Sequence, residues 1–490
     1  LVSSVYSPIG RLIARRLRRT EHQPATWYVT RQGGVTTTDW KDLIVQVKRF
    51  ALGLSALGLE RGQVVGVVAV AAPETSIAIL GCQLLGLTVA DLGDGIESEE
   101  LFDAIQRSNV NSVICGSREQ AETLVPHVRQ LCGERRLIGW GAASSVSAVM
   151  PFGQLCLKGA ELLEREPVRA NRLLTEAEGQ DIALLLPQRR RKSETLPPPG
   201  MMIVEERERY GVRLTIDNCI AASQSYITAL TISSQDRILR LGPDSGIVEL
   251  CLLSVLALMS GASLVFDAGD LSRQQRAEVT HPTVILADAD ELDALYRDID
   301  RELLVGSAWR RWLSTWARRV GNEAARRRVS GFENGLVLSC SLFVADQMVL
   351  SEYRRLLGGA VRRLVSRGAR TRRSTRWFFE AIGLSPLGLL GLPESCGVGL
   401  IEPPEDPRPG SFGRAMPGVG VCVAGTGAVQ IRGPFVADNA IERQASGWIS
   451  LGITGEIDAD GTVWPERTLG ALDASSLAVL PIADHWDSKQ

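Results

Sequence analysis

The sequence predicts an α/β fold, with two sheet-based α/β subdomains followed by a small β-rich subdomain, and three observations carry that expectation. Strand and helix signals alternate from residue 27 to residue 385, the pattern left by parallel sheets with helices on both faces. Val64 to Val70 is a continuous apolar run, as expected of a strand covered on both sides. After Pro403 the texture changes to short strands among dense Gly and Pro turns, GSFGRAMPGVGVCVAG, GAVQIRG and GWISLG, which suits a small antiparallel barrel or sheet.

In chain order, residues 1–26 form a basic N-terminal extension. The stretch Arg11 to Arg19 is rich in arginine, lacks any acid, and places Leu12, Ile13 and Leu17 at helical spacing. A solvated amphipathic helix, an organelle-targeting remnant and a membrane-surface helix all fit that pattern. The first α/β subdomain, 27–185, opens with the strand TWYV, a Gly33-Gly34 turn, a Thr-rich strand and a helix from Asp39 to Leu57. Gly62 ends a turn before the apolar strand, and Pro73 with Glu74 opens the next helix. The second subdomain, 186–385, contains an insert at 188–210. A β-rich subdomain, 386–467, and a short tail, 468–490, follow.

The most apolar run is Cys251 to Phe266. It is shorter than the roughly 20 residues a span requires and is broken by Ser260-Gly261. It reads as a core helix leading into a strand, and no transmembrane span is expected. With 490 residues, 45% hydrophobic and 22% charged, the chain has material for a large core in two or three subdomains. A formal net charge of −2 argues against a general polyanion binder. The nine cysteines are scattered singly, with no CxxC and no close His, so neither a metal site nor a disulfide framework is expected. They read as buried thiols in a reducing intracellular compartment, cytoplasmic or mitochondrial.

Three stretches carry a family resemblance. They are LGLERGQVVGVVAVAAPETSIAILGCQLLGLTVADL, VGSAWRRWLSTWARRVG from Val305 to Gly321, and the segment Phe378 to Gly461 with FFEAIGLSPLGLLGLPESCGVGLIEPPEDPRPGSFGRAMPGVGVCVAGTGAVQIRGPF and SGWISLGITGEIDADGTV. Over roughly residues 25 to 467 the chain resembles long-chain fatty acyl-CoA synthetases of the AMP-binding, adenylate-forming superfamily. The resemblance implies the N-terminal domain fold of an acyl-CoA synthetase. It also implies a reaction in which ATP activates a fatty acid as the acyl-adenylate before transfer to coenzyme A. Phosphate charge in such a reaction is met by backbone N–H groups, hydroxyls, a lysine and Mg²⁺.

The residues that should carry this chemistry depart from the family pattern. In place of a glycine-rich phosphate loop stands Gln188-Arg189-Arg190-Arg191-Lys192, followed by Pro197, Pro198, Pro199 and Gly200. Three prolines have no N–H to give, and a single glycine cannot curl the backbone around a triphosphate. The motif YGxTE appears as Leu390-Gly391-Leu392-Pro393-Glu394, so of the phosphate and metal contacts only Glu394 remains. The ribose-binding Asp of the TGD motif is replaced by Ile453, which accepts nothing and would leave sugar hydroxyls unpaired at about 1–3 kcal/mol each. Arg467 survives from the next motif. With looser alignment, the His and Arg near the acyl tunnel become Ser245 and Glu249. The resemblance further implies a small mobile domain after the hinge, whereas twenty residues follow Gly470, so no such domain is expected here.

These departures all bear on one reaction, and the expectation is a catalytically inactive relative with no cofactor and no metal. Its expected role is that of a structural or accessory subunit in a larger protein complex. The candidate docking residues are Arg362, Arg363, Arg367, Arg370, Arg372, Arg373 and Arg376, read as solvated, together with Trp309, Trp312 and Trp316. Core packing of at least two of those tryptophans, at i, i+3 and i+7, is the competing reading. An acyl-binding protein with a retained fatty acyl ligand, and a ligase with residual activity, are the alternatives. Nucleic-acid binding is not expected, since no aromatic platform or groove-reading motif accompanies the arginines.

Overall fold

A computed structural model describes residues 7–30, 33–68, 71–93, 98–131, 136–186, 211–242, 246–267, 271–304, 308–329, 331–368, 371–441 and 447–466. The strands, in chain order, are β1 (Pro24–Val29), β2 (Val35–Asp39), β3 (Val64–Val67), β4 (Thr88–Asp91), β5 (Val110–Cys115), β6 (Leu137–Gly139), β7 (Met150–Pro151), β8 (Ile182–Leu186), β9 (Val212–Thr215), β10 (Arg237–Leu241), β11 (Ser263–Asp267), β12 (Val284–Asp288), β13 (Arg363–Arg367), β14 (Pro386–Gly391), β15 (Gly399–Ile401), β16 (Gly413–Ala415), β17 (Gly420–Val423), β18 (Ala428–Arg432), β19 (Ile449–Ile457) and β20 (Thr462–Pro465).

They form two sheets. The smaller has the order β7-β6-β5-β3-β4-β8-β9 and is parallel except for the β8–β9 pair. The larger has the order β17-β18-β19-β20-β16-β15-β14-β13-β12-β10-β11-β1-β2. Its centre, from β14 to β1, is parallel, with antiparallel β2 on one side and antiparallel β15 on the other.

The grouping of strands differs from the sequence expectation in one respect. Residues 27–185 and 186–385 are not two consecutive sheets, because β1 and β2 pair onto β11, with Trp27 opposite Val265 and Tyr28 opposite Phe266. The segment after Pro403 is β-rich and antiparallel, as expected, and its ladder continues from β14 through β15, β16 and β20. Alternation of local signals records element type. It is silent on which distant strands share hydrogen bonds.

The N-terminal helix Pro8–Thr20 also belongs to the fold rather than to a solvated extension. Ser7 caps it by accepting from the Gly10 N–H at 3.1 Å, and Pro8 occupies the first turn, where a missing N–H costs nothing. Ile9, Ile13 and Arg16 are buried. Arg16 donates to the carbonyls of Leu258 and Met259, the last turn of the helix Ile247–Ser260, and a cation at a helix C-terminus is favourably placed. Burial, with Arg15 and Arg19 nearby, pulls the Arg16 guanidinium down to about 10. The run Cys251 to Phe266 is a buried helix leading into β11, as expected.

Helix Trp40–Ala56 starts where Asp39 accepts from the Asp42 N–H at 2.8 Å, and it lies against helix Phe152–Arg165 at glycine contacts. A Cβ on Gly159 would stand 1.8 Å from the Arg49 carbonyl oxygen, so only glycine permits that approach. One core packs these helices and Ile247–Ser260 between the sheets. A second lies on the other face of the larger sheet beneath the helices Ala289–Leu304, Ala308–Val329 and Arg373–Ala381.

Candidate functional site

The described motif positions lie at the end of β14, on β19 and in the first turn of the helix Ile247–Ser260. β8 and β9 form a hairpin, with Leu186 opposite Val212. The phosphate-loop positions Gln188, Arg189, Arg190, Arg191, Lys192 and Gly200 lie between these strands and outside the described residues, as do Ser245, Arg370 and Arg467. β14 ends at Gly391 and leads into the turn Pro393–Ser395, closed by the Ser395 hydroxyl, which accepts from the Leu392 N–H at 3.2 Å. Leu390 is in β14, Pro393 is exposed and Glu394 is half-buried. The Glu394 carbonyl accepts from the Ala437 N–H at 2.8 Å, tying the turn to the segment before β19. On β19, Ile453 packs its side chain against the main core. An aliphatic group stands where the resemblance implies a carboxylate.

Glu249, in the first turn of Ile247–Ser260, lies at the centre of an ion cluster. It pairs with Arg240 of β10 and Arg367 of β13, and Arg367 also donates to Asp288 at 2.9 Å. Glu249 Oε1 stands 2.5 Å from Arg367 Nη1 in ionic contact, without the alignment of a hydrogen bond. Burial alone would pull Arg367 down, yet Glu249 and Asp288 outweigh it and the guanidinium is raised. Beside the cluster, the buried Tyr226 hydroxyl donates to the Gly397 carbonyl at 2.9 Å, and burial pushes its pKa up. A cavity of about 30 Å³ lies alongside, lined by Ile238, Arg240, Leu250, Leu253 and Phe266 among others. It holds a water-sized group and no acyl chain. A shallow recess of about 490 Å³ between Arg165 and Arg172 is made by none of these residues.

Of the described arginines expected to be solvated, Arg362, Arg367 and Arg376 are struts. Arg362 donates to Asp236 at 2.7 and 2.8 Å, and Asp236 is 4% exposed. Arg376 makes a bidentate pair with Glu402 at 2.6 and 2.8 Å and stands 3.6 Å from Glu380, with side-chain exposures of 14%, 3% and 1%. Arg363 stands 3.8 Å from Glu405 and exposed Arg372 2.8 Å from Asp293. Arg373 is exposed. Arginine count reveals charge, but the acids that neutralise it come from distant β10, β12 and β15 neighbourhoods. The tryptophans also depart from the core-packing reading. Trp309 and Trp312 are exposed and stacked on each other, and only Trp316 joins the core.

Among the described residues no group of three or more His, Cys, Asp or Glu is placed to hold a metal ion. Cys82, Cys115, Cys156, Cys219, Cys251 and Cys396 are buried, while Cys340 is exposed. Burial pushes the Cys156 thiol up to about 11 and Cys115 to about 12, which keeps both protonated and unreactive.

The solved N-terminal domain of FACL13 from Mycobacterium tuberculosis, bound to an inhibitor, superposes with a TM-score of 0.63 at 18% identity, over 94% of this chain and 98% of that one. The chain has the acyl-CoA synthetase-like fold. An apo MatB structure from Rhodopseudomonas palustris gives a TM-score of 0.64 at 17% identity, over 93% of this chain and 77% of that one. The family model described as AMP-binding enzyme matches residues 13–176. The long-chain-fatty-acid–CoA ligase FadD15 of Mycobacterium bovis is 23% identical over 429 residues, 85% of this acyl-CoA synthetase-like chain and 67% of that protein. The putative fatty-acid–CoA ligase fadD11 of M. tuberculosis is 31% identical over 155 residues, so the match spans 30% of this chain and 27% of that relative. Together these likenesses show the acyl-CoA synthetase-like fold, with an AMP-binding match confined to residues 13–176.

Proposed function

We propose that this acyl-CoA synthetase-like chain is catalytically inactive and serves as a structural or accessory subunit of a larger assembly. The observation that carries the reading is the Arg240–Glu249–Arg367–Asp288 cluster. Where the resemblance implies an acyl tunnel, the fold holds the largely buried charges of Arg240, Glu249 and Arg367, paired in turn with half-exposed Asp288, and a cavity of about 30 Å³. An acyl chain entering there would have to displace paired ions, and breaking a buried pair costs about 3–5 kcal/mol. The ATP side agrees. Ile453 offers no acceptor to a ribose, Pro393 no hydroxyl or N–H to a phosphate, and Pro197 to Pro199 no N–H at all.

These residues do not fit Mg-ATP in the manner of the family, and no adenylation step is assigned to them. The same cluster disfavours a retained fatty acyl ligand in that position. Calorimetry with Mg-ATP tests the reading directly: no heat is expected from the purified chain, nor pyrophosphate exchange with a long-chain fatty acid. Micromolar affinity for Mg-ATP that Glu394→Ala abolishes would return the chain to the ligases. Untagged purification from the native source should, on this reading, yield a stoichiometric protein partner.

A further inference from the structure

The helix Ala308–Val329 and the apolar helix Leu336–Ala345 pack against each other as a hairpin. Arg310 at the start of the first pairs with Glu352 beyond the end of the second, which makes the two antiparallel. The outer surface of this hairpin is unlike the rest of the molecule. Leu336 is 87% exposed, Val337 83%, Phe332 71% and Phe343 66%, and Trp309 and Trp312 stack in solvent at 4.8 Å between ring centroids. Scattered apolar residues on a surface need no explanation, but a contiguous set rimmed by one sign of charge marks an interaction site.

We propose that this hairpin seats the protein on an anionic lipid surface. Three features select a bilayer over a protein groove. The apolar helix carries no charged residue from Leu336 to Ala345, so its exposed side chains ask for hydrocarbon rather than for matched polar partners. Trp309 and Trp312 are exposed at the Glu352 end of the hairpin, and their amphipathic rings favour the headgroup boundary. Residues 308–345 hold seven arginines against two glutamates, in a chain whose formal net charge is −2, and Arg311 and Arg319 are exposed. Arg310, Arg318 and Arg327 pair with Glu352, Asp300 and Glu323, which leaves Arg311, Arg319, Arg326 and Arg328 against Glu333 and the hairpin basic.

The hairpin lies on the surface and does not span. The stretch Leu336–Leu356 has the length and the mean hydropathy, 1.3, of a span, and 22% of it is buried. However, its exposed part, Leu336–Ala345, is about 15 Å long, half of a hydrocarbon core. The remainder turns into the protein, with Val349, Leu350, Tyr353 and Leu356 buried and Asp346 paired with Arg354.

Cosedimentation of the whole chain with phosphatidylcholine vesicles, with and without phosphatidylglycerol, tests the proposal. Binding is expected with phosphatidylglycerol present, falling as salt rises. Leu336→Asp with Phe343→Asp should weaken it more than about tenfold, by removing the inserted groups. Arg311→Glu with Arg319→Glu should abolish the preference for phosphatidylglycerol, each arginine contributing up to about fivefold. All four side chains are outside the core, so far-ultraviolet circular dichroism and the melting midpoint should not change. If the aspartate pair nonetheless failed to fold, the arginine pair alone decides. Failure to bind either vesicle overturns the proposal, as does full retention of the phosphatidylglycerol preference in the arginine pair. Concentration-dependent dimerisation that the aspartate pair abolishes, without vesicle binding, would instead make the face a contact between copies of the chain. The outcome is independent of ATP binding, so it stands apart from the question of catalysis.

Discussion

Replacing Arg376 by Met separates a docking arginine from a structural one. Met keeps most of the apolar stem and removes the charge, so what is lost is the bidentate pair with Glu402 at 2.6 and 2.8 Å and the contact with Glu380 at 3.6 Å. Both carboxylates are nearly inaccessible, at 3% and 1%, and removing one partner of a buried pair typically costs about 3–5 kcal/mol. Burial already pushes Glu402 up, against the opposing pull of Arg376. Without the guanidinium the Glu402 carboxyl rises further, above its value in the unfolded chain. A folded state that binds more protons than the unfolded one loses stability as pH increases. The deficit should therefore be larger at about pH 8 than at about pH 5, since the unfolded carboxyl titrates near 4.3. Urea unfolding followed by tryptophan fluorescence reads both quantities. Glu402→Gln added to Arg376→Met should recover part of the loss, because the orphaned charge is gone. A wild-type midpoint for Arg376→Met at both pH values would refute the buried-pair reasoning and restore a solvated docking role.

Further expectations follow from the same geometry. Arg362 and Thr283 overcome the burial of Asp236 and hold it at about 2, below its unfolded value. Its contribution, about 1–2 kcal/mol after discounting for the partial exposure of Arg362, is present above about pH 4 and is lost as pH falls towards 2. The stability gap between wild type and Asp236→Asn should close over that window in an acid titration. Gly159→Ala places a methyl against the Arg49 carbonyl and should cost about 1–3 kcal/mol, read as a lower melting midpoint. Arg16→Met leaves the Leu258 and Met259 carbonyls without their donors and should cost about 1–3 kcal/mol in urea. Ile453→Asp should destabilise the chain, because the side chain packs on the core, and calorimetry with Mg-ATP should still show no heat.

The legible part of this protein is local and periodic. The apolar run at Val64, the helix from Asp39, the buried helix within Cys251 to Phe266 and the short strands after Pro403 all form in place, because side-chain period and turn chemistry act over a few residues. The substitutions Pro393 and Ile453 were equally visible, since they depend on what a residue can donate or accept and not on its neighbours. Tertiary structure decided the rest. Pairing of β1 with β11 joins segments that sequence order keeps far apart, and pairing of β14 with β15 carries the parallel sheet on into the β-rich segment. The arginines from Arg362 to Arg376 find their acids at Asp236, Glu249, Asp288 and Glu402, more than 20 residues away in every case, and those pairs convert an apparent docking stripe into internal ties. Exposure was the hardest to read. Cys251 to Phe266 and Leu336 to Ala345 are both apolar, yet the first is buried among helices and the second faces out, because what covers a helix is set by the packing of segments distant in the chain.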